Sequence, residues 1–269
     1  MIRPAVRVAA VAVAAAAILS LSPVSASVAH AKGAPGDPLE GYNRAIFKFN
    51  DKVDVWIFEP VAKGWNFIVP PAAQEHLADF FENLRFPVIF LNCVLQAKPT
   101  RAGIALGRFT MNTLFGLGGL LDVAATTGLK PVDEDFGQTL GRWGVGGGPY
   151  LVWPFVGPSN PRDTVGMVAD SATRVWPYFV DIVVVYTTNG VNLVNTRALY
   201  LDTIRDAKRD SLDYYAAVRD AYLQRRQALI EDRSRDEGHD KLYFPDGQND
   251  QTEPKADKSE DDLYYPDVE

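Results

Sequence analysis

The sequence predicts an all-α protein, and three observations carry that reading. Apolar residues recur at three- and four-residue spacing over most of positions 37–233, the period of a helix with one buried face. Proline and capping residues stand where helices should begin, as at Pro99 and in Asn160-Pro161-Arg162-Asp163. Strand-like runs are few, and the best of them, residues 150–155, carries Pro154.

Taken in order, Tyr42, Ile46, Phe49, Val53 and Trp56 mark an amphipathic helix that should stop at Glu59-Pro60. A second helical piece covers 61–68 and ends before Pro70-Pro71. Residues 72–84 are helical again, with Leu77, Phe80, Phe81 and Leu84 on one face. Residues 88–96 are apolar on nearly all sides, so they are buried or face lipid. Pro99 opens a helix through Leu114, with Gly103 and Gly107 four apart. Such small-residue pairs let a second helix approach closely, and Gly137 and Gly141 form another. A short apolar helix follows over 117–125, and 126–163 read as loop-rich. A helix then starts near Asp163 and runs to Arg174. Residues 178–186 suit a strand by β-branched content and a helix by their neighbours. Residues 189–206 and 211–233 are helical.

The termini differ in kind from this body. Arg3 and Arg7 precede a run of Ala, Val, Ile, Leu and Ser over 8–21, and Ala29-His30-Ala31 is a small-x-small cleavage site. Residues 1–31 are therefore expected to be a secretory signal peptide, because a run of about 14 residues falls short of the ~20 that span a bilayer. A Gly/Pro linker follows over 32–36. The single cysteine, Cys93, lies in an apolar run, which points to a small buried hydrophobe and excludes an intramolecular disulfide. No cysteine stands at the cleavage site, so acylation there is not expected.

The chain holds 34 acids against 27 Lys and Arg, and residues 232–269 hold 13 acids and 5 bases, a net of −8. The body is thus close to neutral, and no basic stripe invites nucleic acid. The tail, 234–269, is expected to be disordered and acidic. Within it 240–246 (Asp-Lys-Leu-Tyr-Phe-Pro-Asp) is echoed by 261–267 (Asp-Asp-Leu-Tyr-Tyr-Pro-Asp), either a docking motif or chance similarity.

Enzymatic chemistry finds little footing. Asp135-Phe136-Gly137 spells a kinase metal tripeptide, but no His-Arg-Asp loop precedes it. The glycine runs at 116–119 and 144–148 do not complete a phosphate-binding fingerprint, since Leu121 and Pro149 stand where its third glycine belongs. The segment Gly157-Pro158-Ser159-Asn160-Pro161 has proline where a hydrolase elbow needs glycine. Beyond the signal segment the only histidines are His76 and His239. No catalytic residue, metal or cofactor is expected.

Several ordered motifs carry a resemblance. They are Asp37-Pro38-Leu39-Glu40-Gly41-Tyr42-Asn43-Arg44 with Phe47-Lys48-Phe49-Asn50-Asp51, and Arg108-Phe109-x-x-Asn112-Thr113 with Gly116-x-Gly118-Gly119-x-x-Asp122-Val123-Ala124. Phe136-Gly137-x-Thr139-Leu140-Gly141-x-x-Gly144-Val145-Gly146-x-Gly148-Pro149-Tyr150, then Pro154-x-x-Gly157 and Arg162-Asp163, complete them. Over 37–230 the chain resembles the MlaA (VacJ) family. The resemblance implies a ring-shaped helical protein with an amphipathic central pore, seated monotopically in the inner leaflet of the outer membrane, on its periplasmic face. It implies retrograde phospholipid transport from the outer leaflet toward a soluble periplasmic lipid-binding protein, in association with an outer-membrane porin trimer, keeping the membrane's lipids asymmetric. A lipid-bearing cysteine at the mature N-terminus is usual in the family and is missing here. Burial of ~400 Å² of apolar surface, on the order of 10 kcal/mol, would hold the body in a leaflet without it.

A charged headgroup needs polar groups at depth. Phe49, Asn50, Asp51, Asn112, Asp122, Arg142, Arg162 and Asp163 stand in otherwise apolar motifs and are the expected lining of a lipid path. Each has a local alternative: side-chain–backbone bonding for Asn50 and Asn112, helix capping for Asp122 or Asp163, a structural pair for Arg162 and Asp163, core packing for Phe49. Gly144, Gly146, Gly147 and Gly148 are the expected hinge, because glycine permits backbone changes that other residues resist. The competing readings are a periplasmic phospholipid hydrolase and a structural envelope protein that recruits partners through its tail.

Overall fold

The computed structural model describes residues 37–233, so the expectations for the signal peptide, the linker and the acidic tail lie outside the described residues. The chain is helical almost throughout, as expected. Helix α1 (Glu40–Val53) does not end at Pro60. It widens into a π-turn over Asp54–Phe58, where the Glu59 amide bonds the Asp54 carbonyl, and continues as α2 (Glu59–Ile68). The wide turn absorbs the proline, whose ring and missing N–H would break a regular helix at that point.

Helices α3 (Pro71–Leu84), α4 (Phe86–Leu95) and α5 (Pro99–Leu114) follow, each with proline in its first two positions. Proline is tolerated there because the first amides of a helix have no partner to lose. The single helix expected over 117–125 is instead a 3₁₀ turn, Leu117–Gly119, and a short α6 (Val123–Thr126). Positive φ at Gly118 (75°) and Gly119 (103°) separates them.

The segment expected to be loop-rich contains α7 (Phe136–Arg142) and a two-stranded antiparallel hairpin, β1 (Leu151–Trp153) with β2 (Gly157–Ser159), in which Val152 faces Pro158. Helix α8 (Pro161–Thr173) is capped by Asn160, whose side chain accepts from the Asp163 amide at 2.8 Å. The ambiguous stretch is helical from Ile182, since α9 runs Ile182–Leu199. It breaks at Tyr200 into α10 (Leu201–Asp210), where one helix was expected, and α11 (Tyr214–Ile230) closes the body.

Close packing follows the glycines in one place and not in the other. A Cβ on Gly166 of α8 would stand 2.4 Å from the Gly137 nitrogen, and one on Gly137 would meet Arg226 and Asp163 side chains at 2.6 and 2.7 Å. Those contacts press α7 against α8 and α11. Gly103 meets nothing within 4 Å and Gly107 only the Leu129 side chain, so that pair serves no helix contact.

A water-soluble domain of this length usually buries one contiguous apolar core. Here most of the buried apolar residues among those described form three small clusters: Ile89, Cys93, Ala102, Ala105 and Val132 between α4 and α5; Ala62, Ala198 and Leu201; and Tyr150, Val152 and Tyr215.

Candidate functional site

Between those clusters the described interior is polar, and asparagine does most of the joining. Asn43, fully buried on α1, donates to Asp37 Oδ1 (2.9 Å) and the Tyr150 carbonyl (3.0 Å) and accepts from the Val152 amide (2.9 Å). Asn50, two turns on, donates to the Trp153 carbonyl (2.9 Å) and accepts from the Phe155 amide (2.8 Å). The hairpin thus hangs from one face of α1 by two side-chain amides. Asn92 ties α4 to Asp170 (3.0 Å) and Thr139 (2.7 Å), and Asn195 ties α9 to Trp65 (3.0 Å) and the Gln74 carbonyl (2.8 Å). Each amide uses its donor and its acceptor, which is what makes burial of so polar a group affordable.

Six of the eight expected path residues fall into three groups, and Asp51 and Arg142 stand apart from them. Asn112 donates to Asp122 (2.9 Å) and accepts from the Ala124 amide (2.8 Å), while Asp122 caps α6 and pairs with Arg108 at 2.6 Å. Near them Asp79 is half-buried, and burial, with Asp122 beside it, pushes its carboxyl up to about 6. Arg162 and Asp163 pair at 2.8 Å and share one network with Asn160, Tyr222 (2.5 Å from Asp163), Arg226 and Asp135. Asp51 pairs with Lys208 at 2.7 Å, and Arg142, half exposed, stands 3.6 Å from Asp232. Phe49 meets Phe155 edge-to-face at 5.2 Å. The structure brings Phe49 and Asn50 together at the hairpin tip, Asn112 with Asp122, and Arg162 with Asp163, but does not join these groups to one another. Of the expected hinge, Gly144 (φ 88°) and Gly148 (φ 74°) adopt left-handed backbone, Gly146 borders open space, and the Gly147 carbonyl accepts from the Arg162 amide.

Arg226 holds the last helix to the network, reaching Asp135 at 2.6 Å and Asp163 at 3.0 Å. Burial works to raise the Asp135 carboxyl, and the guanidinium overrides it and holds the group down to about 2. A depressed carboxyl contributes stability that is full above its unfolded value of 3.8 and is lost as pH falls through about 2. The expected result is a contribution on the order of 2 kcal/mol that disappears between pH 4 and pH 2. Thermal unfolding of the natural chain and of Asp135→Asn across that range checks it, the variant having the flatter profile.

The surface reverses the interior. Phe67 is 93% exposed, Phe179 79%, Leu117 73% and Phe155 70%, and Trp56, Ile57, Ile68, Leu114, Phe115, Val183 and Tyr186 are exposed with them. Leu117 (φ 54°) and Phe155 (φ 62°) hold these positions with left-handed backbone that glycine would adopt without strain. Among the described residues no helix is long and apolar enough to cross a membrane, and no group of three His, Cys, Asp or Glu is set to hold a metal ion. Amide-clamped polar joints inside, apolar side chains outside and short helices set this all-α protein apart from helical domains built on one sealed apolar core.

The model of the family described as MlaA lipoprotein matches residues 35–229, and the chain belongs to that family. It is 37% identical over 204 residues to the intermembrane phospholipid transport system lipoprotein MlaA of Haemophilus influenzae, covering 73% of this chain and 80% of that protein. The protein of the same name from Escherichia coli K12 is 40% identical over 198 residues, 70% of this chain and 76% of its own. A solved structure reported under "Structural basis for maintenance of bacterial outer membrane lipid asymmetry" superposes with a TM-score of 0.65 at 38% identity, covering 72% of this chain and 98% of that one.

Proposed function

We propose that this chain moves phospholipid from the outer leaflet of the outer membrane toward a soluble periplasmic lipid-binding protein, and so keeps the membrane's two leaflets different. Its relatives belong to a system named for intermembrane phospholipid transport, and its structural neighbour concerns outer-membrane lipid asymmetry. The observation that carries the reading is the reversed distribution of side chains, with polar joints buried and large apolar groups exposed. In this reading the body is a ring seated in the inner leaflet of the outer membrane, beside a porin trimer, with its apolar side chains in the acyl layer. The headgroup needs a polar route through the ring, and of the expected path residues Arg142 and Asp51 keep the most exposed charge. Asn50, Asn112, Asp122, Arg162 and Asp163 hold the wall in shape, and Phe49 with Phe155 stands at its rim.

Purified protein incubated with labelled phospholipid tests the reading. Intact lipid recovered bound, and delivered to acceptor vesicles, supports transport. Released fatty acid supports a hydrolase and overturns it. The hinge has its own test. With Gly146 and Gly147 both replaced by proline, transfer is expected to fall roughly tenfold while lipid binding holds, because proline fixes φ near −65°. Unchanged transfer removes the hinge from the mechanism.

A further inference from the structure

Among the described residues arginine is almost always matched to acid. Arg44, Arg85, Arg101, Arg108, Arg142, Arg162, Arg197, Arg205, Arg209, Arg219, Arg225, Arg226 and Arg233 each lie within 4 Å of a carboxylate. Arg174 is the exception among the described residues, with no side-chain hydrogen bond and no ion pair. It is half-buried where α8 ends, so it is not left to water either.

Its surroundings sharpen the anomaly. Burial draws its guanidinium below the ordinary arginine value, and the like charge of Arg85 adds to that. The carboxylate that acts on it is Asp170, already engaged by the Phe136 amide at 3.0 Å and by Asn92 at 3.0 Å. Arg85 is itself taken up by Glu82 (2.8 Å) and Asp133 (2.9 Å). An unmatched, partly desolvated cation is costly, and a bound anion removes the cost.

The chain beyond Arg174 says what kind of anion. Val175, Tyr178, Phe179, Ile182, Val183, Val184 and Tyr186 are all exposed. The Tyr178 hydroxyl donates to the Ala172 carbonyl at 2.9 Å, which folds the start of this segment, residues 175–178, back against the end of α8, where Arg174 stands. An anion that brings apolar chains with it meets both features at once. We propose that Arg174 binds the phosphate of a phospholipid headgroup while the 175–186 segment takes its acyl chains. Guanidinium suits that group because its planar fork donates two hydrogen bonds to phosphate oxygens. The proposal rests on the transport reading and adds to it the site where the lipid is held.

The test uses the full chain and its Arg174→Gln, Arg174→Lys and Arg174→Glu variants, equilibrated with vesicles of phosphatidylcholine and phosphatidylglycerol. Bound phospholipid is measured by phosphorus content and mass spectrometry. Loss of a charge-assisted contact is worth roughly tenfold in affinity. Arg174→Gln is therefore expected to bind about tenfold more weakly, Arg174→Glu more weakly still, and Arg174→Lys to recover much of the loss. The Arg174 side chain makes no internal bond, and its backbone bond to the Asp170 carbonyl survives substitution, so the helical circular dichroism should be unchanged in all three. Natural protein that binds no phospholipid overturns the transport reading. Natural protein that binds it, with Arg174→Gln binding equally well, overturns this site alone. A second arm adds inorganic phosphate at tens of millimolar: undiminished lipid binding supports a lipid site, and displacement with Arg174-dependent phosphate binding assigns it to the free anion and overturns the proposal.

Discussion

Asn43→Leu is expected to destabilise the body by about 3–5 kcal/mol, lowering the thermal midpoint by roughly 10 °C or more. Leucine keeps the branched heavy-atom skeleton of asparagine and would satisfy any role that needed only shape. What it removes is three hydrogen bonds, to Asp37, the Tyr150 carbonyl and the Val152 amide, all at 2.9–3.0 Å and all buried. An orphaned buried group costs about 1–3 kcal/mol, more than a satisfied bond contributes, and Asp37 would also lose one of its few partners in a site with no exposure. The Tyr215 hydroxyl still donates to Asp37, which tempers the loss. Asn50→Leu is expected to cost less, because its Phe155 contact is exposed and water replaces it. Chemical denaturation of both variants checks the order. Equal midpoints would mean that the hairpin contributes little to cooperative unfolding.

That comparison explains why the interior was only half legible in the sequence. Asn50 and Asn112 stood out because each interrupts an apolar motif, and both do make side-chain–backbone bonds. Asn92 and Asn195 sit in apolar helical stretches too, and Asn43 among polar neighbours, but no local feature marks any of the three as a clamp. The Asn43 bond to Tyr150 spans 107 positions, and nothing local distinguishes such a clamp from a solvated asparagine. Nothing in the local sequence singles out Tyr222 or Arg226, because their partners Asp163 and Asp135 arrive from two other elements.

Helices bounded by local chemistry were readable. Pro99–Leu114 is an example, with proline at its start and a glycine two residues beyond its end. Elements decided by packing were not. Gly137 and Gly141 argue against a helix by propensity, yet α7 forms because only glycine lets α8 and α11 come so near. The π-turn before Pro60 is hidden for the same reason, since a sequence read by period treats proline as an end. The apolar surface was legible as composition, but its placement outside the molecule follows from interior joints already made by amides and ion pairs.

Replacing Phe67, Phe115 and Phe179 together by aspartate is expected to release the protein from phospholipid vesicles while leaving its fold alone. The three rings lie on separate elements, are largely exposed, and pack into none of the three apolar clusters. In water their loss should change stability by no more than about 0.5 kcal/mol each. In an acyl layer each ring contributes about 1.5–3 kcal/mol of burial, and each new carboxylate adds a desolvation cost of up to about 3 kcal/mol. The sum, on the order of 10 kcal/mol, exceeds what a single acyl chain supplies. Flotation of the full-length variant with vesicles, and alkaline extraction from membranes, measure the effect. A triple variant that still floats with lipid would show that attachment does not run through these side chains.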